Sequence, residues 1–97
     1  MIKIVAKMTV KEGCLETFKA TAKELVEKSA AEAGNIFYTL NVSAGDPNQI
    51  AIIECWKDQA AIDFHNHTEH FTTILPKLGA LCKEGGNAVE FYQEVEF

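Results

Sequence analysis

Two hydrophobic periodicities follow one another along the chain, and their order limits the folds that the chain can adopt. Four segments alternate apolar and polar residues with the period of two expected of strands: about 2–10, 35–43, 49–57 and 88–97. Between them, residues at about 15–33 and 58–82 repeat apolar side chains at the spacing of amphipathic helices. The order β-α-β-β-α-β predicts a ferredoxin-like α+β fold, an antiparallel sheet with its helices on one face.

The third predicted strand is apolar on both faces, which a lone sheet with helices on one side does not explain. Ile50 and Ile52 alternate with Ala51 and Ile53, so each face of the strand carries apolar side chains. Because the helices can cover one face only, the other face needs a second apolar layer. The same sheet of a second copy of the chain would cover this face without any other protein, and the sequence therefore predicts a homodimer.

Length and charge limit the classes of function. Ninety-seven residues are enough for one hydrophobic core, so we expect a single domain spanning residues 1–97. The net charge is −5 and all nine basic residues are lysines, which argues against a nucleic-acid partner and leaves no arginine to bind a phosphate. No apolar run approaches the roughly 18 residues of a membrane span, so we expect no membrane partner.

The cysteines and the first residues indicate a compartment. Cys14, Cys55 and Cys82 are odd in number and form no Cys-x-x-Cys pair, as expected of reduced thiols. The chain begins directly with the strand pattern of Met1–Val5, without the apolar stretch of a signal peptide. We therefore expect a cytoplasmic protein.

The segment from Glu54 to Phe71 gathers most of the side chains that could do chemistry. Asp58 is a suitable N-cap for a helix that carries His65 at the edge of its apolar face. A histidine beside a carboxylate such as Glu54 can act as a general base near neutral pH. His65 and Glu54 are the candidate catalytic residues, although a capping or core role for His65 and a structural pairing of Glu54 stay open.

Aromatic residues accompany these two. Trp56, Tyr38, Phe71 and Tyr92 could form a flat wall against a planar ligand, because aromatic rings stack readily on one another. Core packing explains the same residues equally well. The sequence alone does not decide between a ligand wall and a core.

The three histidines of this segment are poorly spaced for a metal. At about 100° per residue, His65 and His67 lie about 200° apart on a helix, and His65 and His70 about 140° apart. Only His67 and His70 would share a face. No phosphate-binding loop or dinucleotide-binding motif occurs. We therefore expect neither a metal nor a cofactor.

This segment resembles the antibiotic biosynthesis monooxygenase family of small dimeric α+β proteins. The resemblance rests on a Glu-x-Trp strand end, a following His-x-x-Thr-x-His-Phe and a Gly-x-x-x-Tyr opening the second strand: Glu54, Trp56, His65, Thr68, His70, Phe71, Gly34 and Tyr38. It implies a homodimer, a dimeric α/β barrel in which the two sheets form a β-barrel.

The resemblance also implies an activity, that of a cofactor-independent monooxygenase. Its substrate would be a small phenol or hydroquinone, which once deprotonated can reduce O2 itself. His65 would be the base, oriented by Glu54. Four further residues would bind the substrate: Trp56, Tyr38, His70 and Phe71. Haem-degrading relatives have an axial histidine where this chain has Leu75, and an asparagine where it has Lys7 and Met8, so no haem is expected.

Two other functions stay open. The run from Ala61 to Phe71 is also similar to the isomerase of the phosphorylated signal autoinducer-2, which acts on an enolisable diketone. That relative has a basic patch near its C-terminus, whereas the corresponding residues here, 83–87, contain one lysine and one glutamate. The third hypothesis is a dimeric module that binds a ligand without converting it.

Overall fold

The computed structural model describes residues 1–97 and has four strands and three helices. In chain order they are β1 Ile2–Thr9, α1 Leu15–Ala30, β2 Asn35–Val42, β3 Gln49–Trp56, α2 Gln59–Asn66, α3 Glu69–Ala80 and β4 Ala88–Gln93. The strands form one antiparallel sheet in the order β2-β3-β1-β4. This arrangement confirms the predicted ferredoxin-like α+β fold.

The helices cover only part of one face of the sheet. Helix α1 packs against β2 and α3, and α2 packs against β3. Strand β4 has no helix over it, and Val89 and Phe91 stay 59% and 61% exposed although they share the helix-bearing face with Ala6 and Ile4. The part of this face formed by β2, β3 and β1 is therefore covered, with Ile4 and Met8 of β1 buried, whereas the part formed by β4 is open.

Two side-chain caps set the break between α2 and α3. The Asp58 carboxylate accepts a hydrogen bond from the Ala61 N–H at 2.9 Å, which confirms it as the N-cap of α2. Thr68 caps α3 by accepting from the Phe71 N–H at 3.3 Å, and its hydroxyl donates to the His65 carbonyl at 2.7 Å. Thr68 thus joins the end of one helix to the start of the next.

Gly34 lies in the turn between α1 and β2. It does not end α1 in a left-handed conformation, because α1 ends at Ala30 and the glycines with positive φ are Gly13 and Gly85. Gly34 is needed for a different reason: a Cβ at this position would overlap the Ala61 Cβ on α2. The turn after α1 is therefore pressed against α2.

The last strand is shorter than the predicted segment 88–97. Strand β4 ends at Gln93 instead of Phe97, because β1, its partner in the sheet, begins at Ile2 opposite Gln93. Pro76 does not break α3, which continues to Ala80. None of the three helices is both long enough and apolar enough to span a bilayer.

Candidate functional site

His65 lies in the last turn of α2, and a buried carboxylate forms a hydrogen bond with one side of its ring. Its ring is 2% exposed, and Nδ1–H donates to Glu32 Oε2 at 2.6 Å. Glu32 belongs to the turn between α1 and β2. The predicted orientation of His65 by Glu54 is wrong, because Glu32 occupies that role. With its proton on Nδ1, His65 keeps Nε2 as a free acceptor that no protein group uses.

Glu32 binds a second imidazole through the same oxygen. His70, in the first turn of α3, donates its Nε2–H to Glu32 Oε2 at 2.9 Å, and the His65 and His70 rings are 6.0 Å apart. His67, which would share a face with His70 on a continuous helix, lies apart from it: His67 is exposed and donates to the Asp63 carbonyl. The helical spacing failed because the chain leaves the α2 helix at His67 and begins a new one after Thr68.

Aromatic rings enclose the imidazole of His65. The ring centroids of Trp56, Phe71 and Tyr38 lie 4.5, 4.9 and 5.5 Å from it. This burial lowers the pKa of His65, and the hydrogen bond and negative charge of Glu32 act in the opposite direction. The ring is therefore neutral near pH 7, with its orientation set by packing on three sides and by the Glu32 bond.

Glu54 is a second buried carboxyl group close to this ring. It lies on β3 opposite Tyr38, is 7% exposed, and its Oε1 accepts from the Trp56 indole N–H at 2.8 Å. Burial raises the pKa of Glu54 to about 7, although the indole bond pulls it down. Burial, with the nearby charge of Glu54, also raises the pKa of Tyr38, so Tyr38 keeps its proton. Glu54 can thus hold or release a proton near neutrality.

A cavity of about 390 Å³ lies between the sheet and the start of α3. Four of the predicted site residues line it: Tyr38, Glu54, His65 and Phe71. Apolar side chains, among them Met8, Leu75 and Phe91, form most of the remaining wall. The cavity therefore combines a mostly apolar lining with the two proposed catalytic groups, Glu54 and His65.

Three predicted residues lie elsewhere. Trp56 is fully buried and His70 is bound to Glu32, and neither lines the cavity, so each touches His65 from behind. Tyr92 is on the opposite face of the sheet, paired with Lys3, and donates to Glu90. The expected aromatic wall therefore consists of Tyr38 and Phe71 alone.

Glu32 is the site residue that sequence reasoning missed. It is the only charged residue in Ser-Ala-Ala-Glu-Ala-Gly, a run of small residues between helix and strand. That composition was itself a signal, because small residues allow the turn to approach α2 closely. The contact between Gly34 and Ala61 makes this approach, and it carries Glu32 to within hydrogen-bond distance of His65.

Comparison with known proteins gives one consistent result. The family model described as "Antibiotic biosynthesis monooxygenase" matches residues 1–77. "Putative monooxygenase YcnE" of Bacillus subtilis (strain 168) is 42% identical over 77 residues, which cover 79% of this chain and 81% of that protein.

Solved structures agree with this over almost the full chain. A crystal structure described as that of an antibiotic biosynthesis monooxygenase is 33% identical with a TM-score of 0.91, covering 99% of this chain and 100% of the other. A conserved protein from Methanosarcina mazei Go1 is 30% identical with a TM-score of 0.91, covering 97% and 92%. The chain belongs to the antibiotic biosynthesis monooxygenase family.

Proposed function

We propose that the protein is a cofactor-independent monooxygenase that oxidises a small phenol or hydroquinone with O2, and that His65 Nε2 is the base. The observation that supports this most directly is the His65 ring itself. It is neutral, held through Nδ1 by Glu32, and borders an apolar cavity with its other nitrogen free. A free imidazole nitrogen in a dry site is suited to removing a phenolic proton.

The reaction balances without a cofactor. His65 Nε2 accepts a hydroxyl proton from the hydroquinone, and the electron-rich anion then reduces O2 and forms a bond to one of its oxygen atoms. Loss of water with the other oxygen leaves a hydroxyquinone, so the substrate supplies all four electrons. Glu54 is placed to donate the proton that the departing oxygen needs, because its pKa of about 7 keeps part of it protonated.

The apolar wall accounts for the class of substrate. Phe71 and Tyr38 flank His65 and line the cavity, so a flat ring can lie against them while its hydroxyl reaches Nε2. Lys7 is the only cation in the lining, and its ammonium group is paired with Glu90 at 3.1 Å. A phosphorylated diketone would find no free positive charge here, which disfavours the isomerase alternative.

The active unit in this proposal is a homodimer of the single domain 1–97. No helix packs on the second face of the sheet, where Val5 and Ile53 are half-buried and Phe37 is 36% exposed. A second copy would cover these side chains. Sedimentation at micromolar concentration should give the mass of a dimer, and a species of monomer mass alone would contradict this part of the proposal.

The decisive experiment measures O2 uptake with a panel of hydroquinones and compares two histidine variants. His65→Ala should lower kcat/KM by about 10²- to 10⁴-fold, the usual contribution of a positioned base. His67→Ala is the matched control, because His67 is exposed on the same helix end. Equal losses in both variants would mean damage to α2 and not loss of a base. Binding without O2 uptake by any substrate would favour the non-catalytic module.

A further inference from the structure

Three potential metal ligands converge on the side of His65 that faces away from the cavity, and His65 is one of them. The ligand atoms of Glu32, His65 and His70 lie within 4.8 Å of one another, although the residues come from three different parts of the chain: the turn after α1, the end of α2 and the start of α3. All three side chains are largely buried, with exposures of 6%, 3% and 13%. Nitrogen atoms of two imidazoles therefore point at one carboxylate.

The protein alone leaves this carboxylate incompletely satisfied. Both imidazoles donate to Oε2, whereas Glu32 Oε1 is buried and has no hydrogen-bond partner. No lysine pairs with Glu32. A buried charge with an unused oxygen is costly unless a cation or a donor compensates it. This unused oxygen independently points to a ligand.

We propose that Glu32, His65 and His70 form a binding site for a divalent transition metal of the zinc class. Two imidazoles and one carboxylate are a ligand set that zinc and its neighbours prefer, and they leave room for water or a further ligand. Metal–ligand bonds of about 2.0–2.2 Å in a tetrahedron separate the ligand atoms by roughly 3.3 Å. The observed N–O distances of 2.6 and 2.9 Å need to open by well under 1 Å.

The expected absence of a metal concerned a site of three histidines, which would need an irregular backbone. The break at Thr68 supplies that irregularity and lets His70 and His65 reach the same carboxylate. His67, the third histidine, takes no part in the site. A carboxylate that sequence reasoning missed takes the place of the third imidazole.

Occupation would change the chemistry of His65, a consequence that rests on the proposed function. The metal takes the Nδ1 position, and the single proton of the neutral ring moves from Nδ1 to Nε2. Nε2 would then be a donor to the cavity and could no longer accept a proton from the substrate. Because Glu32 and His70 do not line the cavity, the ion would sit behind the imidazole and inhibit without touching the substrate.

The test is a calorimetric titration of chelator-treated protein with Zn²⁺, repeated with Co²⁺ to record its absorption bands. The proposal expects one ion per chain, imidazole-type Co²⁺ bands, and a melting temperature higher by roughly 10 °C at a hundredfold excess over Kd. Glu32→Gln and His70→Ala should each abolish stoichiometric binding. His67→Ala removes an exposed histidine from the same segment and should bind as the wild type does.

Each outcome bears on the proposal. Absence of stoichiometric binding in the wild type overturns it, as does binding that survives both Glu32→Gln and His70→Ala. His70→Ala decides the matter should Glu32→Gln fail to fold, because His70 is the most exposed of the three ligands. The titration needs no substrate, so a protein that binds zinc but oxidises no hydroquinone would retain the metal site and lose the proposed function. Where turnover exists, Zn²⁺ should suppress it in the wild type and in His67→Ala alike.

Discussion

The two halves of the helix-bearing face differ in how much of their apolar surface is covered. On the β2–β3 side, Trp56 and Ile50 are almost completely buried, and Phe18 of α1 is fully buried above them. At the β4 edge, Val89 and Phe91 have the same orientation but are more than half exposed. The cavity lies at the boundary, with His65 on the covered side and Phe91 on the open side.

A small protein that contains a buried base must also leave an opening for its substrate, and here the two requirements are met in different parts of the sheet face. A base with a lowered pKa and a fixed tautomer needs burial, which Trp56, Phe71 and Glu32 provide. A substrate needs an opening, and the uncovered side of β4 provides it. In the proposed function, the covered half would therefore set the pKa and tautomer of His65, while the open side of β4 would give a substrate access to the cavity.

The largest effect should come from truncating one phenylalanine in each half. Phe18→Ala removes a fully buried ring from the covered half and should reduce the free energy of unfolding by about 3–5 kcal/mol. Phe91→Ala should reduce it by less than about 1 kcal/mol in the monomer, because most of that ring is already in water. Urea unfolding at low protein concentration measures both. Equal losses of stability in the two variants would show that both parts of the face are packed alike, which would contradict the difference in burial described above.

The second effect is a change of about 3 kcal/mol in the free energy of unfolding with pH, and it comes from Glu54. Its pKa is about 7 when folded and about 4.5 when unfolded, so between these values the folded state holds a proton that the unfolded chain has lost. The stabilisation that Glu54 contributes to the folded state is complete below pH 4.5 and is lost as the pH rises through 7. The ionisation of His65 makes the folded state more stable as the pH rises, which is the opposite of the effect of Glu54, because the pKa of His65 is lowered on folding.

The comparison of wild type with Glu54→Gln isolates this contribution, since His65 is present in both. From pH 5 to pH 8 the wild type should lose up to about 3 kcal/mol relative to the variant. The amide of the substituted side chain keeps an oxygen that can accept from the Trp56 indole, so packing changes little. Parallel stability curves over this range would show that Glu54 ionises in the folded protein as it does in water.

The periodicities of the sequence were sufficient for the fold, and for part of the site. The order of helices and strands and the cap Asp58 follow from spacing and residue type, which act over a few residues. The partner of His65 did not follow, because Glu32 is 33 residues away and reaches it through the contact of Gly34 with Ala61. Such a contact depends on tertiary packing, which no local pattern records.

The helix break determines how close the two histidines lie. The angle of about 140° between His65 and His70 applies to one continuous helix, whereas α2 ends before Thr68 and α3 begins after it. A cap reorients the helix axis by an amount that sequence does not give, so the two rings can meet at 6.0 Å. The placement of Trp56 and His70 behind His65 depends on the same local geometry.

A third prediction tests the contact that carries Glu32 to the site. Gly34→Ala should lower the free energy of unfolding by about 1–3 kcal/mol, because the added Cβ would overlap Ala61 and force the turn away from α2. Gly79→Ala is the matched control, since a Cβ there meets no atom within 4 Å. A denaturant midpoint unchanged by Gly34→Ala would show that the turn can move freely, and the tight placement of Glu32 would then need another cause.

The smallest effect concerns the two caps at either end of α2. Thr68→Ala and Asp58→Ala should each reduce the free energy of unfolding by about 1 kcal/mol, because each removes a side-chain acceptor from a helix N-terminus. Only Thr68 also donates to the His65 carbonyl, so only Thr68→Ala should loosen the junction that holds His65 and His70 around Glu32.

NMR titration of the imidazole C–H signals separates the two caps. In Thr68→Ala the pKa of His65 should move toward its ordinary 6.5, because a looser junction admits water to a ring whose pKa is lowered mainly by burial. Asp58→Ala lies at the far end of α2 and should leave the His65 titration as it is in the wild type, with a similar loss of stability. Identical His65 titrations in all three proteins would mean that the covered half holds the ring without the Thr68 junction, and that packing by Trp56 and Phe71 is sufficient.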